Sequence, residues 1–481
     1  MSGLQTIPRQ HTWTPVITGL ALSLAVSGAF AQTSSPIGAL IDQTQPRTDP
    51  EVVVKPAAPG IRSGPLAPWA SAMADRGLTF GVNVYNFYQA NPSAGLRTGE
   101  QSNSTYFVLS MSADMQKLAG ISGGSINFTQ SFFGFVRNTN HASDIGDSTI
   151  GYQPPFNINN NRLSLLTYQQ KLLDERLVVE VGRTHPDRYY GLPPCGSINS
   201  CFQDLFYLNA GFTSPLYGVW GANLAYKLSP TTYIQAGAFS VNPSTNALSG
   251  YDFGYETLSG ALVMTEIGRK TDFTQEAYPG RVSLTGFYNT SDHADNLRTI
   301  TGTSRGLNPG TPSIRREGTS GVVLTGSQTV WRADHGRVVN PSPTAISLYT
   351  GTGYAFDSTI PIRFNSFIGA TLSAPDQSRP GDSYGIKMNW QRINDTYATF
   401  LADANRFSGG SGASFSRDKL IFEANANFAL GQGIAFQPVV QYLVNGTSFF
   451  NPYTARRPKD GFYVGTVLVV PLGALFGLSA I

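Results

Sequence analysis

Charge is what this chain has least of. Asp, Glu, Lys and Arg make up 13% of its 481 residues, about half the usual share for a soluble domain. A compact fold wrapped in a charged surface is therefore disfavoured. Long apolar runs are missing too. Beyond residue 31 nothing reaches the twenty or so apolar residues that a helical span requires, and mean hydropathy is −0.12. With 2 cysteines the chain cannot be a disulfide-built scaffold. The 5 histidines are scattered, and no Ser/His/Asp spacing, metal-ligand cluster or phosphate-cradling glycine loop accompanies them. The sequence therefore points to no enzyme, no cofactor and no metal. A net charge of +3 without a basic cluster gives no reason to expect a nucleic-acid partner.

What the chain does have is 12% aromatic residues and 51 glycines, alternating with short two-sided runs. In the stretch 417–445, Leu420, Phe422, Ala424, Ala426 and Phe428 form one face, and Lys419, Glu423, Asn425 and Asn427 form the other. After a Gly-Gln-Gly turn, Ile434, Phe436, Val440, Tyr442 and Val444 oppose Gln437, Gln441 and Asn445. Successive strand side chains point to opposite faces, so each arm is a ribbon with one apolar and one amide-rich face. Each arm is about ten residues long, the length of a tilted strand that crosses a bilayer.

The pattern recurs. Trp220, Ala222, Leu224 and Tyr226 oppose Asn223 and Lys227; Val282, Leu284 and Tyr288 oppose Arg281, Ser283, Thr285 and Asn289. Ile362, Phe364, Ile368, Ala370 and Leu372 oppose Arg363, Asn365 and Thr371; Tyr384, Ile386, Met388 and Trp390 oppose Lys387, Asn389 and Gln391. A Lys or Arg on the lipid face near mid-membrane costs about 2–4 kcal/mol, so these charges belong in a wet lumen. About sixteen such runs follow residue 78, starting near 78, 104, 124, 162, 176, 217, 231, 259, 281, 321, 345, 362, 383, 417, 433 and 461. Tight turns alternate with long loops at 138–161, 184–214, 291–319 and 394–416, as expected for the periplasmic and extracellular ends of a barrel. The expected fold is all-β: an antiparallel transmembrane β-barrel of about sixteen strands over 78–481. A barrel of that size keeps an open lumen, whereas around eight strands close theirs with side chains.

Before the barrel, Arg9 and His11 precede an apolar stretch ending Ala29-Phe30-Ala31, which reads as a cleavable export signal over 1–31. Residues 32–77 read as a Pro/Ala-rich periplasmic tether closed by a short helix from Pro68 to Arg76. In an exported chain, Cys195 and Cys201, with five residues between them, most simply form a small disulfide loop. Metal binding is the alternative reading.

The order of several short motifs resembles the OprB-type carbohydrate-selective porins of Gram-negative outer membranes. The pieces run from Trp69…Arg76-Gly77-Leu78-Thr79-Phe80 through Val181-Gly182-Arg183 and the Cys195/Cys201 loop to Ile234-Gln235-Ala236-Gly237-Ala238-Phe239. They continue through Tyr278-Pro279-Gly280-Arg281, Ser327-Gln328-Thr329-Val330-Trp331-Arg332 and Arg379-Pro380-Gly381-Asp382 to Arg457-Pro458-Lys459-Asp460-Gly461. Two features depart from the pattern. The chain runs past Pro471 to Ile481 instead of ending on a strand-closing aromatic, and the 296–320 loop has no matching part.

The resemblance implies passive diffusion of small sugars, with outer-membrane lipid around the barrel. Monomer and homotrimer both stay open. The expected pore lining is Glu180, Arg183, Lys227, Arg281, Arg332, Arg363, Lys387, Glu423, Asn425, Gln437 and Gln441. Arg183 and Arg332 come from the resemblance, Glu180 from its alternation with Val179 and Val181, and the rest from strand sidedness. Such groups set selectivity through charge and pore diameter; the plainer reading is that they pair with one another and keep water in. A general or differently selective porin, and a non-conducting structural barrel, are the alternatives.

Overall fold

The computed structural model describes residues 63–147, 161–190, 218–241, 249–251, 253, 258–336, 340 and 342–479. Cys195, Cys201 and the export signal lie outside the described residues. The strands are β1 Leu78–Asn91, β2 Glu100–Asp114, β3 Gly124–Arg137, β4 Asn161–Leu172, β5 Leu177–Thr184 and β6 Val219–Lys227. Next come β7 Thr232–Val241, β8 Gly260–Lys270, β9 Gly280–Asn289, β10 His293–Thr299, β11 Ser313–Arg316 and β12 Thr319–Arg332. The last are β13 Ala345–Ala355, β14 Ile362–Ser373, β15 Ser383–Ile393, β16 Asp418–Gly431, β17 Ile434–Val444 and β18 Gly461–Val470.

All but β10 and β11 join one closed antiparallel sheet of sixteen strands, in which β9 pairs β12 and β1 pairs β18. Every barrel strand begins within four residues of its expected start; the largest difference is at β2, which begins at Glu100 rather than near residue 104. β10 and β11 form a separate hairpin that spans 293–316, so the unmatched 296–320 stretch belongs mostly to an ordered decoration outside the wall.

Sidedness follows the alternation. Val263, Ile267, Leu284, Leu324, Ile368, Ile386 and Phe422 are exposed, whereas Asn223, Gln235, Glu266, Thr285, Asn389, Gln391 and Gln441 are buried. This inverts a soluble protein: apolar groups meet the surroundings and polar groups line the interior, which is stable only where the surroundings are lipid. Glycines facing inward make room for aromatic neighbours. A Cβ on Gly369 would lie 2.3 Å from the Tyr349 ring, and one on Gly351 would lie 2.3 Å from the Phe367 ring.

Short connections join β2 to β3, β4 to β5, β6 to β7 and β16 to β17, at the end where the chain enters β1 and leaves β18; that end is periplasmic. There helix α1 (Ala67–Asp75) docks by Trp69 against Phe80, ring centroids 5.2 Å apart. The Lys117 ammonium, on helix α2 (Met115–Ala119), donates to Ala74 O at 2.7 Å. The closing strand ends at Val470, and a one-turn helix α3 (Leu472–Leu475) follows. Its chain is tied to the other terminus by Leu66 N donating to Phe476 O at 2.9 Å. The tail after Pro471 is thus a folded cap, not an extension of the strand.

Candidate functional site

Two long loops at the extracellular end turn into the lumen. The β5–β6 loop starts His185-Pro186-Asp187-Arg188-Tyr189-Tyr190, and a 3-10 turn at Pro186–Arg188 sends it inward. Tyr189 and Tyr190 bury against inward-facing Phe239, Leu262, Met264, Phe287 and Val323. The Tyr190 hydroxyl donates to Asn223 Oδ1 at 2.6 Å, and Gln235 Nε2 donates to Tyr189 O at 2.7 Å. This docking carries Arg188 down to Glu180, where its Nε lies 3.2 Å from Oε1 and 3.3 Å from Oε2. Thr167 Oγ1 completes the carboxylate's shell at 2.6 Å. Three strands on, at β8, Glu266 takes neutral donors: Tyr233 OH at 2.7 Å, Gln235 Nε2 at 2.9 Å and Thr285 Oγ1 at 2.6 Å.

The β3–β4 loop enters from the other side through a short helix at His141–Ile145. Ile145 buries against Ile421, Val439, Leu443 and Tyr463. The Lys419 ammonium reaches Asp147 at 3.0 and 3.1 Å, and the same carboxylate accepts from Thr447 N at 2.8 Å and Thr447 Oγ1 at 3.0 Å. Deeper on this wall, Lys387 and Glu423 are register partners on β15 and β16, with Nζ 3.6 Å from Oε2. Asn425 Nδ2 donates to Glu423 Oε1 at 2.7 Å, Gln441 Nε2 donates to Oε2 at 2.9 Å, and Gln437 Nε2 donates to Asn427 Oδ1 at 2.9 Å.

In the ring order, β5 and β15 stand eight strands apart out of sixteen, so they face each other across the lumen. Glu180 is the fourth residue of β5 and Lys387 the fifth of β15, both counted from the periplasmic end. The interior therefore presents two clusters on opposite walls. Each holds a carboxylate matched by a cation and ringed by amides and hydroxyls.

The expected lining residues divide. Glu180, Lys387, Glu423, Asn425, Gln437 and Gln441 are all buried on the inner face, in the two clusters just described. Lys227 and Arg281 share the inner faces of β6 and β9 with Asn223 and Ser283, near the periplasmic ends. Arg332 is also on the inner side, where a bulge between Thr329 and Trp331 turns it, but it sits at the periplasmic rim. There it holds Asp334 at 2.6 and 2.9 Å and donates to Ala277 O at 2.7 Å. It ties two turns together and does not belong to the facing clusters.

Two expectations are corrected. Arg363 points outward: a bulge between Ile362 and Phe364 resets the alternation, Ile362 is buried inside, and the Arg363 guanidinium lies over the outward Tyr354 ring at 5.3 Å. Arg183 also points outward. It pairs across the sheet with exposed Trp220, while Glu180 pairs with buried Asn223. The β7–β8 loop covers it there, with Arg183 Nη2 donating to Gly250 O at 3.0 Å and Phe253 stacked near Trp220. Glu180 and Arg183 are three residues apart, so alternation alone forbids both from facing inward.

Sequence reasoning missed Arg188, Asp147 and Glu266 as lumen groups. Glu266 alternates with Thr265 and Ile267 and could have been found. The other two lie on loops, where no period marks the inward side.

A closed sixteen-stranded sheet, apolar outside, polar inside and narrowed by loops that fold inward, is an outer-membrane channel of the porin class. The model of one such family, described as carbohydrate-selective porin, OprB family, matches residues 99–469, and the chain belongs to that family. Porin B of Pseudomonas aeruginosa is 24% identical over 338 residues, 67% of this chain and 72% of that protein. The high-pH structure of Pseudomonas putida OprB superposes with a TM-score of 0.72 at 19% identity, covering 86% of this chain and 99% of that one. The protein is a passive, carbohydrate-selective diffusion channel of a Gram-negative outer membrane.

Proposed function

We propose that small neutral sugars cross this barrel between the wall held by the buried Glu180–Arg188 cluster and the wall held by the buried Lys387–Glu423 cluster, exchanging water hydrogen bonds for bonds to groups on both walls. The observation that carries the reading is the placement of the two clusters on strands eight apart in a ring of sixteen. Three features support it. The Glu180 and Glu423 carboxylates are each matched by a cation, so these two clusters hold strong acceptors and donors without adding net charge. The amides of Gln169, Asn223, Gln437 and Gln441 supply further donor–acceptor pairs suited to hydroxyls. The turn at Pro186–Arg188 brings the β5–β6 loop inward and narrows the passage at this wall.

Conductance through single barrels in planar bilayers tests this. Adding glucose or maltose should lower the current of the wild type. In a Glu180→Gln/Glu423→Gln double variant the sugar concentration for half-block should rise roughly tenfold, since hydrogen bonds to charged groups contribute about 1.5–3 kcal/mol. A sugar block unchanged in the double variant removes the proposed path. A wild-type chloride current indifferent to sugars would favour a differently selective porin.

A further inference from the structure

The displaced Arg363 stands in a surface setting that the transport path does not use. At the extracellular ends of β13–β16, on the outward side, Tyr354, Arg363, Phe364, Trp390, Arg392 and Arg417 line a cavity of about 570 Å³. Three guanidiniums meet here, and two carboxylates answer them: Asp418 lies 3.6 Å from Arg392, and Asp395 pairs with Arg417. Three positive charges less two negative leave one. That surplus is Arg363, which among the described residues is held by the Tyr354 ring and by no carboxylate. Arg392 and Arg417 also remain open, with 42% and 47% of their side chains exposed.

The surroundings say what kind of anion this is for. The cavity sits in an aromatic band, with the Phe364 and Trp390 rings 4.8 Å apart, the level at which membrane barrels meet headgroups. Below it toward the periplasm the same outward faces carry Ile368, Ile386, Met388 and Phe422, all exposed. A ligand seated at the arginines would therefore lay any hydrocarbon it carries along this strip. Arg is the side chain best matched to phosphate, because its planar fork binds two oxygens at once. An outward Arg near the interface costs little, about 0–1 kcal/mol, so it can be kept for binding.

We infer that the Arg363–Arg392–Arg417 cavity binds the phosphorylated headgroup of an outer-leaflet lipid, with its acyl chains on the Ile368–Ile386–Met388 face. The test uses full-length protein, delipidated in detergent and incubated with bis-phosphorylated lipid A, with bound lipid counted by native mass spectrometry. The wild type should retain one lipid per barrel. An Arg363→Gln/Arg392→Gln variant should bind roughly tenfold more weakly, as expected for loss of charge-assisted bonds, while its maltose block stays unchanged and so reports an intact barrel. Equal retention by the variant overturns the site, as does equal retention of dephosphorylated lipid A. Displacement of the lipid by millimolar inorganic phosphate alone would identify a free-anion site and overturn the lipid assignment.

Discussion

The β5–β6 loop rests mainly on Tyr189, Tyr190, Phe239, Leu262 and Met264, an apolar bed beside the Arg188–Glu180 pair; the β3–β4 loop rests on one buried ion pair, Asp147 with Lys419, and a smaller apolar patch around Ile145. Both loops enter the same lumen, yet they should fail under different conditions. Apolar burial is non-directional and insensitive to protonation. A buried ion pair adds little net stability when whole, but it is costly to halve, because the surviving charge stays in low dielectric.

The largest expected break of this contrast is Asp147→Ala. It strands the Lys419 ammonium, whose side chain is 1% exposed, and removes the acceptor of Thr447. The β3–β4 loop should lose about 3–5 kcal/mol of docking free energy, read as protease cleavage in 138–147 with the barrel otherwise intact. Protection equal to wild type would show that the apolar patch suffices.

Acidification should loosen the same loop. His141 is buried, and burial holds its imidazole well below the ordinary value of 6.5, at about 4, although the nearby Asp144 charge and a ring N–H bond to the Glu100 backbone pull the other way. The undocked loop therefore binds the proton more readily. Docking is at full strength above pH 6.5 and weakens as pH falls toward 4, by about 2 kcal/mol at pH 5. The hydrogen-exchange protection of 139–147, corrected for the slower intrinsic exchange in acid, should fall between pH 7 and 5. His141→Phe should abolish that response; a loop equally labile at both pH values would count against it.

The smallest effect is expected on the apolar side. Tyr190→Phe deletes the 2.6 Å bond to Asn223 but keeps the ring in its bed, at about 1 kcal/mol. Its thermal midpoint in detergent should drop less than that of Asp147→Ala. A larger drop would mean that polar contacts, not apolar burial, hold this loop.

Sixteen strands and their sidedness were legible because the contrast between lipid and water is written locally, residue by residue, with a period of two. Lys387, Glu423 and Gln441 were readable from their own strands for that reason. Where a bulge inserts one residue the phase flips, and the strand beyond it reads inside out, which is how Arg363 was misassigned. Arg183 was a different failure, since a motif outweighed the alternation with Glu180 that contradicts it. Arg188 and Asp147 were out of reach, because their positions depend on where a non-periodic loop folds back.

The Asp147–Lys419 contact joins residues 272 apart in sequence, and around the ring it spans the junction of β1 with β18. On the extracellular side the β1–β2 and β17–β18 loops exchange two bonds there, Gly95 N to Lys459 O at 2.9 Å and Lys459 N to Gly95 O at 3.0 Å. None of these contacts can form before the first and last strands meet, since loop-closure entropy opposes them until the cylinder exists. Narrowing of the lumen is therefore a late event of assembly: a barrel that has not zipped shut is also one that has not yet acquired its selective passage.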